Sequence, residues 1–307
     1  MNLYSGDIIL SDFVEKAYCR LLEAGYSVDS GGFREIPYGV TLKTGIAGKK
    51  PVSVALYHTE KKGFSIVTSD DAVRSLLMSM LTDEGTAGSD EAGKGDIFGP
   101  LVVCSFVLGN KEKELLKLGL KDSKRMKNDE ILSIYEKINT GFRDSFSMVR
   151  IMPERYNSFY ESLSSQGRNL NNLLAWAHSK AISNVVAKRS DIKRVLVDKF
   201  TDNYAANSLI ISAAGAVPVT FQVRAEQNPA VAAASIVARA GYLISLRQIN
   251  ETVLNNDFTL VPGSGAESDR LLEEITQKYG IGILDRIAKK HFANCERILG
   301  AATRNDS

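Results

Sequence analysis

Downstream of residue 83, short apolar runs alternate with long segments of helical periodicity, and this alternation limits the fold more than any other feature of the chain. The runs LVVCSFVL (101–108), FSMVRIM (146–152), RVLVDKF (194–200) and AVPVTFQV (216–223) are too short for helices and too apolar for open loops, so they read as buried strands. NNLLAWAHSKAISNVVAKR, NPAVAAASIVARAGYLISLRQIN and ESDRLLEEITQKYG read as helices. Strands alternating with helices predict an α/β domain in which helices flank a mixed sheet. Functional groups in such sheets gather at strand ends.

The first part of the chain follows another pattern. SDFVEKAYCRLLEAGYSV predicts a helix capped by Ser11 and stopped at Gly25. The strand-like runs GVTLKTG, PVSVALYHT and GFSIVTS follow, and then a second helix in SDDAVRSLLMSML. The expectation is a small α+β module over residues 1–82, a break near LTDEGTAGSD, and the α/β domain over 83–307. A length of 307 residues is consistent with two domains.

Composition narrows the class of function only modestly. With 44% hydrophobic and 24% charged residues the chain can bury a sizeable core. A net charge of +2 does not by itself announce a polyanionic partner, which would need a local cluster of lysines. Cys19, Cys104 and Cys295 are odd in number and in no metal-binding spacing, so they read as reduced thiols that pack. The amino terminus carries no basic leader, and no apolar run approaches 18 residues without a charge. A cytoplasmic protein with no membrane partner is the expectation.

The chemistry concentrates in GSDEAGKGDIFGPLVV. Adjacent residues of a regular strand point to opposite faces. The glycines at 88, 93, 95 and 99 therefore suggest a bulge or tight turn that aims Asp90 and Glu91 at one point. Two converging carboxylates resist ionising together unless a cation neutralises them. A carboxylate cluster with no histidine or cysteine beside it suits Mg²⁺ and phosphodiester chemistry. A solvated Asp-Glu turn is equally compatible with the spacing alone. The single GKG is neither a P-loop nor a dinucleotide fingerprint.

Two more acids stand where sheet edges are predicted. Asp198 ends the apolar run RVLVD, where a charge requires solvent, a cap or a metal to receive it. Glu226 follows VTFQVRA and precedes a helix, so it fits either a ligand role or a helix N-terminal acid. His58, His178 and Trp176 read as structural, and no chemical role is assigned to His291.

Taken in order, DEAGKGDIFGPLVV, LKDSKRM, VLVDKF and VRAEQNPAVAAASIVARA resemble the signature blocks of the type 2 ribonucleases H. The resemblance spans Gly88 to Leu299. Within that family, GKG in place of GRG and the tail AKKHFANCERIL are similar to the ribonuclease HIII branch. FTLVPGSGAESDRLLEEI lacks the Gly-Tyr-Gly segment with which the HII branch reads an RNA–DNA junction. The module before residue 83 resembles the TATA-binding-protein-like extension of the HIII branch.

The resemblance implies an α/β RNase H-like domain preceded by a small α+β TATA-binding-protein-like domain. It implies hydrolysis of the RNA strand of RNA/DNA hybrids, leaving a 3′-hydroxyl and a 5′-phosphate. Asp90, Glu91, Asp198 and Glu226 would be the catalytic acids, holding two Mg²⁺ or Mn²⁺ ions about 4 Å apart. Glu226 stands where the wider family has Asp, and its longer side chain implies a displaced or water-mediated contact. The loop Gly93-Lys94-Gly95 would read the ribose 2′-hydroxyl, because glycines let backbone amides approach closely. Ser123, Lys124 and Ser235 would meet phosphate, although Ser123 and Lys124 also fit a solvated turn and Ser235 also fits a helix back-bond. Lys43, Lys49 and Lys50 of the first module would hold the hybrid backbone, if they do more than solubilise a turn. A monomer is implied. Two rivals stand beside this reading: a hybrid-binding protein without catalysis, which the four acids oppose, and a ribonuclease HII acting on single ribonucleotides, which the missing tyrosine opposes.

Overall fold

The computed structural model describes residues 7–29, 33–46, 50–59, 63–81, 85–109, 114–115, 118–120, 123 and 126–305. Helix α1 (Ile8–Glu23) opens the chain. Its cap is Asp7 and not Ser11: the Asp7 carboxylate accepts the amides of Ile9 at 2.9 Å and Leu10 at 3.0 Å, so the helix starts one turn earlier than predicted. It ends where expected, at Gly25, whose φ of 82° only glycine adopts cheaply.

An antiparallel sheet follows, built of β1 (Ser27–Val28), β2 (Arg34–Ile36), β3 (Gly39–Gly45), β4 (Val52–Thr59) and β5 (Gly63–Thr68), in the order β1-β3-β4-β5 with β2 paired to β3. Helix α2 (Asp71–Met78), capped by Asp70, completes the unit. Alternation along β3 and β4 sends Val40, Leu42, Val54 and Leu56 to one face. There they bury against Leu10, Val14 and Leu21 of α1 and Val73 and Leu77 of α2. His58 binds Asp7 through Nδ1 at 2.5 Å and so ties the sheet to the start of α1, a structural role as expected.

The second sheet contains β6 (Thr86–Ala92), β7 (Leu101–Val107), β8 (Phe146–Ile151), β9 (Arg194–Asp198) and β10 (Val219–Gln222), in the order β10-β9-β6-β7-β8. It is mixed: β7 runs antiparallel to β6 and β8, whereas β9 is parallel to β6 and to β10. Around it lie α3 (Asn128–Gly141), α4 (Pro153–Ser164), α5 (Leu170–Val186), α6 (Tyr204–Ala213), α7 (Pro229–Thr252), α8 (Ala266–Tyr279) and α9 (Ala293–Asn305). The residues of β7 divide between two layers. Val102, Cys104 and Phe106 pack in the cluster that contains α7. Leu101 and Val103 pack with Leu173, Leu174 and Ala177 of α5.

Helices α3, α4, α6 and α9 go beyond the sequence expectation. The signal in α3 is narrow, with Ile131, Ile134 and Ile138 making the fully buried stripe, Leu132 and Tyr135 partly buried beside it and the rest of the helix polar or small. Helix α7 is long and apolar enough to cross a membrane by length and composition, yet 89% of its most apolar window is buried inside the protein, as befits a central core helix. Its first turn lies directly on β6. A Cβ at Gly88 would stand 2.2 Å from the Val231 nitrogen, so this approach requires glycine.

Candidate active site

The pairing of β6 explains how neighbouring acids reach one place. On its β7 side the register runs one-for-one through Asp90↔Cys104, Glu91↔Val103 and Ala92↔Val102, with no bulge. On its β9 side pairing stops at Ser89↔Val197. The predicted bulge is therefore absent, and positive φ begins only after the strand, at Gly93. Asp90 and Glu91 leave a regular strand on opposite faces, as the pleat demands. The parallel neighbour no longer pairs with β6 at this point, so side chains from both faces and from the end of β9 share one opening.

That opening is a cavity of about 510 Å³ lined by Asp90, Glu91, Asp198 and the loop from Gly93 to Asp96, with Ser123, Ser235 and Arg239 among the rest of its wall. Asp90 faces α7. The Ser235 hydroxyl bonds its carboxylate, the Glu91 N–H donates to Oδ1 at 2.8 Å, and Ser123 Oγ lies 2.7 Å from Ser235 Oγ. Glu91 faces α5. His178 Nε2 is 3.2 Å from its Oε2 and Lys94 Nζ is 3.6 Å from its Oε1. Asp198 closes β9 and accepts the Ala225 N–H at 3.0 Å.

Burial pushes the Asp90 carboxyl well above the usual carboxylate range, and the negative charges of Glu91 and Asp198 add to the shift. The bonds from Ser235 and from the Glu91 amide oppose it. This is an electrostatic deficit that a cation removes. Among the described residues no three acidic, histidine or cysteine side chains are drawn into a finished ion cage. The donors nevertheless fit a hard divalent ion: they are carboxylate oxygens at the rim of an open cavity, and Mg²⁺ or Mn²⁺ at such sites is completed by water and phosphate.

Of the residues singled out from the sequence, Asp90, Glu91, Asp198, Gly93, Lys94, Gly95, Ser123 and Ser235 come together in this wall. Ser235 directs its hydroxyl to Asp90. Glu226 is on a 3-10 turn, Ala225–Gln227, and does not join the lining. Lys43 and Lys50 are exposed in the first module, and Lys49 and Lys124 lie outside the described residues. Gly95 has open space where a Cβ would stand, whereas a Cβ on Gly93 would meet the Pro100 carbonyl oxygen at 2.2 Å.

Three participants escaped the sequence reading. Arg239 reaches the cavity from α7, held 3.6 Å from Asp96 and over the Tyr242 ring. Phe200 follows β9 and lies between the Lys94 ammonium, 5.7 Å from its centroid, and the His178 ring, stacked at 5.0 Å. His178 is fully buried. Its only sequence signal was a titratable residue on an otherwise apolar helix face.

Comparison with known proteins agrees with this geometry. A family model described as Ribonuclease HII matches residues 87–295. The ribonuclease HIII of Protochlamydia amoebophila is 34% identical over 214 residues, covering 69% of this chain and 68% of that protein. The ribonuclease HIII of Listeria monocytogenes (strain F2365) is 33% identical over 232 residues, covering 74% and 72%. Among solved structures, Bst-RNase HIII in complex with Mn²⁺ superposes with a TM-score of 0.65 at 22% identity, over 98% of each chain. That likeness establishes the fold of both sheets.

Proposed function

The chain belongs to the ribonuclease HIII family, and from that premise we propose that it hydrolyses the RNA strand of RNA/DNA hybrids endonucleolytically, leaving 3′-hydroxyl and 5′-phosphate ends. The observation that carries this reading is the convergence of Asp90, Glu91 and Asp198 in one cavity beside the Gly93–Gly95 loop. Magnesium or manganese is the cofactor that this oxygen-only donor set takes. Asp90, Glu91 and Asp198 would hold two such ions, which would supply Lewis-acid activation of water and neutralisation of negative charge on the phosphate and the departing 3′-oxygen.

The protein's own residues do the positioning. Asp90 and Asp198 stay fixed in the cavity wall, Asp90 by Ser235 and Asp198 by the Ala225 amide. Glu91 offers a third carboxylate from the opposite face, and Glu226 acts from outside, through water. The loop around Gly95 leaves room for a ribose edge, whose 2′-hydroxyl separates RNA from DNA. Lys94 exchanges its contact with Glu91 for a substrate phosphate. Ser123 and Lys124 meet the next phosphate, the Ser123 hydroxyl turning to it from Ser235, and Ser235 lies beside the same phosphate while its own hydroxyl stays on Asp90. Lys43, Lys49 and Lys50 hold the hybrid backbone along the first module, and the protein acts as a monomer.

The test is cleavage of three labelled duplexes with Mg²⁺ and with Mn²⁺: a continuous RNA strand on DNA, a single ribonucleotide within DNA, and plain DNA. The expected result is metal-dependent cutting of the continuous hybrid that Asp90→Asn abolishes, with poor cutting of the single ribonucleotide and none of DNA. An intact hybrid under both metals would overturn the proposal.

A further inference from the structure

His178 performs a task that its place in the middle of a helix does not announce. The ring has no solvent exposure, so each of its nitrogens needs a partner. Nδ1 lies 2.8 Å from Ser89 Oγ, and Nε2 lies 3.2 Å from Glu91 Oε2. Ser89 and Glu91 are two apart on β6 and therefore share a face, so one imidazole spans successive positions of the strand. The ring also lies 11° from parallel with Phe200. Clamped at one nitrogen and across one face, the ring has a single direction left for Nε2.

The two oxygens of Glu91 consequently differ. Oε2 is engaged by a buried, immobile group. Oε1 faces Lys94, whose side chain is 37% exposed and free to leave. We infer that His178 is a positioning residue that ties down Oε2 so that Glu91 presents Oε1 alone to a divalent cation, an inference that rests on Glu91 being one of the metal-holding acids. Single-oxygen presentation suits the small octahedral ions. Ca²⁺, with six to eight oxygens and a taste for bidentate carboxylates, loses most by it.

The test uses the full-length protein without substrate and reads Mn²⁺ affinity by titration calorimetry, with Ca²⁺ as competitor and thermal melting to confirm folding. A glutamine amide reaches where Nε2 was, and an asparagine amide reaches where Nδ1 was. His178→Gln should bind Mn²⁺ close to wild type. His178→Asn should bind about tenfold or more weakly, the usual size of a lost contact behind a metal ligand, and should discriminate less against Ca²⁺. Equal Mn²⁺ affinity in the two folded variants overturns the inference. Should the asparagine variant fail to fold, the comparison passes to His178→Phe, which keeps the stacked ring without nitrogens, and wild-type affinity there overturns it equally. Glu91→Gln separates the premise: wild-type Mn²⁺ affinity in that variant removes Glu91 from the site and the inference with it. Weakened binding in Glu91→Gln beside unweakened binding in the His178 variants rejects the positioning role alone.

Discussion

Ser65 and Gln227, 162 residues apart, are joined by a hydrogen bond of 2.8 Å from the Gln227 amide nitrogen, while the amide oxygen of Gln227 accepts the Ile66 N–H at 3.0 Å. The strand they meet on, β5, is the edge of the first sheet, so a side chain of the second unit occupies an edge that would otherwise stand unpaired. The same 3-10 turn carries Glu226, and its Ala225 amide fixes Asp198. Placement of the first module and geometry of the acids thus share three residues. Gln227→Ala, which removes two bonds worth about 1 kcal/mol each, should raise KM for a long hybrid several-fold and change kcat less. Steady-state kinetics on long and short hybrids checks this, and unchanged constants on both would show that the two units act independently.

Asp90→Asn should make the metal-free protein more stable while abolishing turnover. Burial and two neighbouring carboxylates raise the Asp90 pKa, so an ionised Asp90 works against the fold, and its contribution worsens as pH rises from the ordinary carboxylate value towards the raised one. A neutral amide removes that repulsion and also removes an ion contact worth several kcal/mol in the transition state. Melting in chelator at pH 7 should give a higher Tm for the variant, Mn²⁺ should raise the wild type more, and hybrid Kd should change little.

The two glycines flanking Lys94 should fail differently. Gly93→Ala brings a Cβ within 2.2 Å of the Pro100 carbonyl oxygen at a φ of 87°, so it should cost about 1–3 kcal/mol of stability. Gly95→Ala meets nothing within 4 Å and should melt like wild type, yet its methyl group occupies the approach to the ribose and should lower kcat/KM on hybrids. Denaturant unfolding beside kinetics distinguishes the two, and a fully active Gly95→Ala would remove the loop from substrate reading.

His291 should make the fold acid-sensitive. Burial, with the Lys289 charge beside it, pushes its pKa down to about 4, and among the described residues its Nδ1 is buried without a partner. Above the ordinary pKa of about 6.5 the ring is neutral in both states and adds no pH dependence. As pH falls through that value the unfolded chain takes a proton that the folded one refuses, and stability declines until about pH 4. His291→Phe, which keeps the tilted ring contact with Tyr160, should flatten the slope of Tm against pH between 6.5 and 4. An unchanged slope would place the sensitivity elsewhere.

Much of the architecture was legible because β7, β8, β9 and β10 and the longest helices carry apolar runs such as LVVCSFVL and NPAVAAASIVARA, whereas the middle strand β6, TAGSDEA, has no such run and read as a break followed by a turn. The first module was legible too, where Val40 and Leu42 alternate with Thr41 and Lys43. Helix α3 is faint in the sequence although Ile131, Ile134 and Ile138 keep helical spacing, because most of its other positions are polar. The start of α1 was misread because Ser11 is a good cap in isolation, and only the backbone shows that Asp7 takes the role.

At the site, the sequence by itself singled out candidate acids, since a carboxylate beside an apolar run carries an electrostatic demand, but it did not separate Asp90, Glu91 and Asp198, which line one cavity, from Glu226, which does not. Only the tertiary structure decided how they meet. Asp90 and Glu91 diverge on a regular strand and share a cavity because β9 stops pairing at Ser89, a property of two strands and not of either one. His178 became a partner of Glu91, and Gln227 of Ser65, across 87 and 162 residues, separations at which no local period carries information. Hydrophobic patterning acts over a few neighbouring residues and is written in the chain. The direction of a buried hydrogen bond is set by what the fold brings opposite it, and that is settled only when the chain is packed.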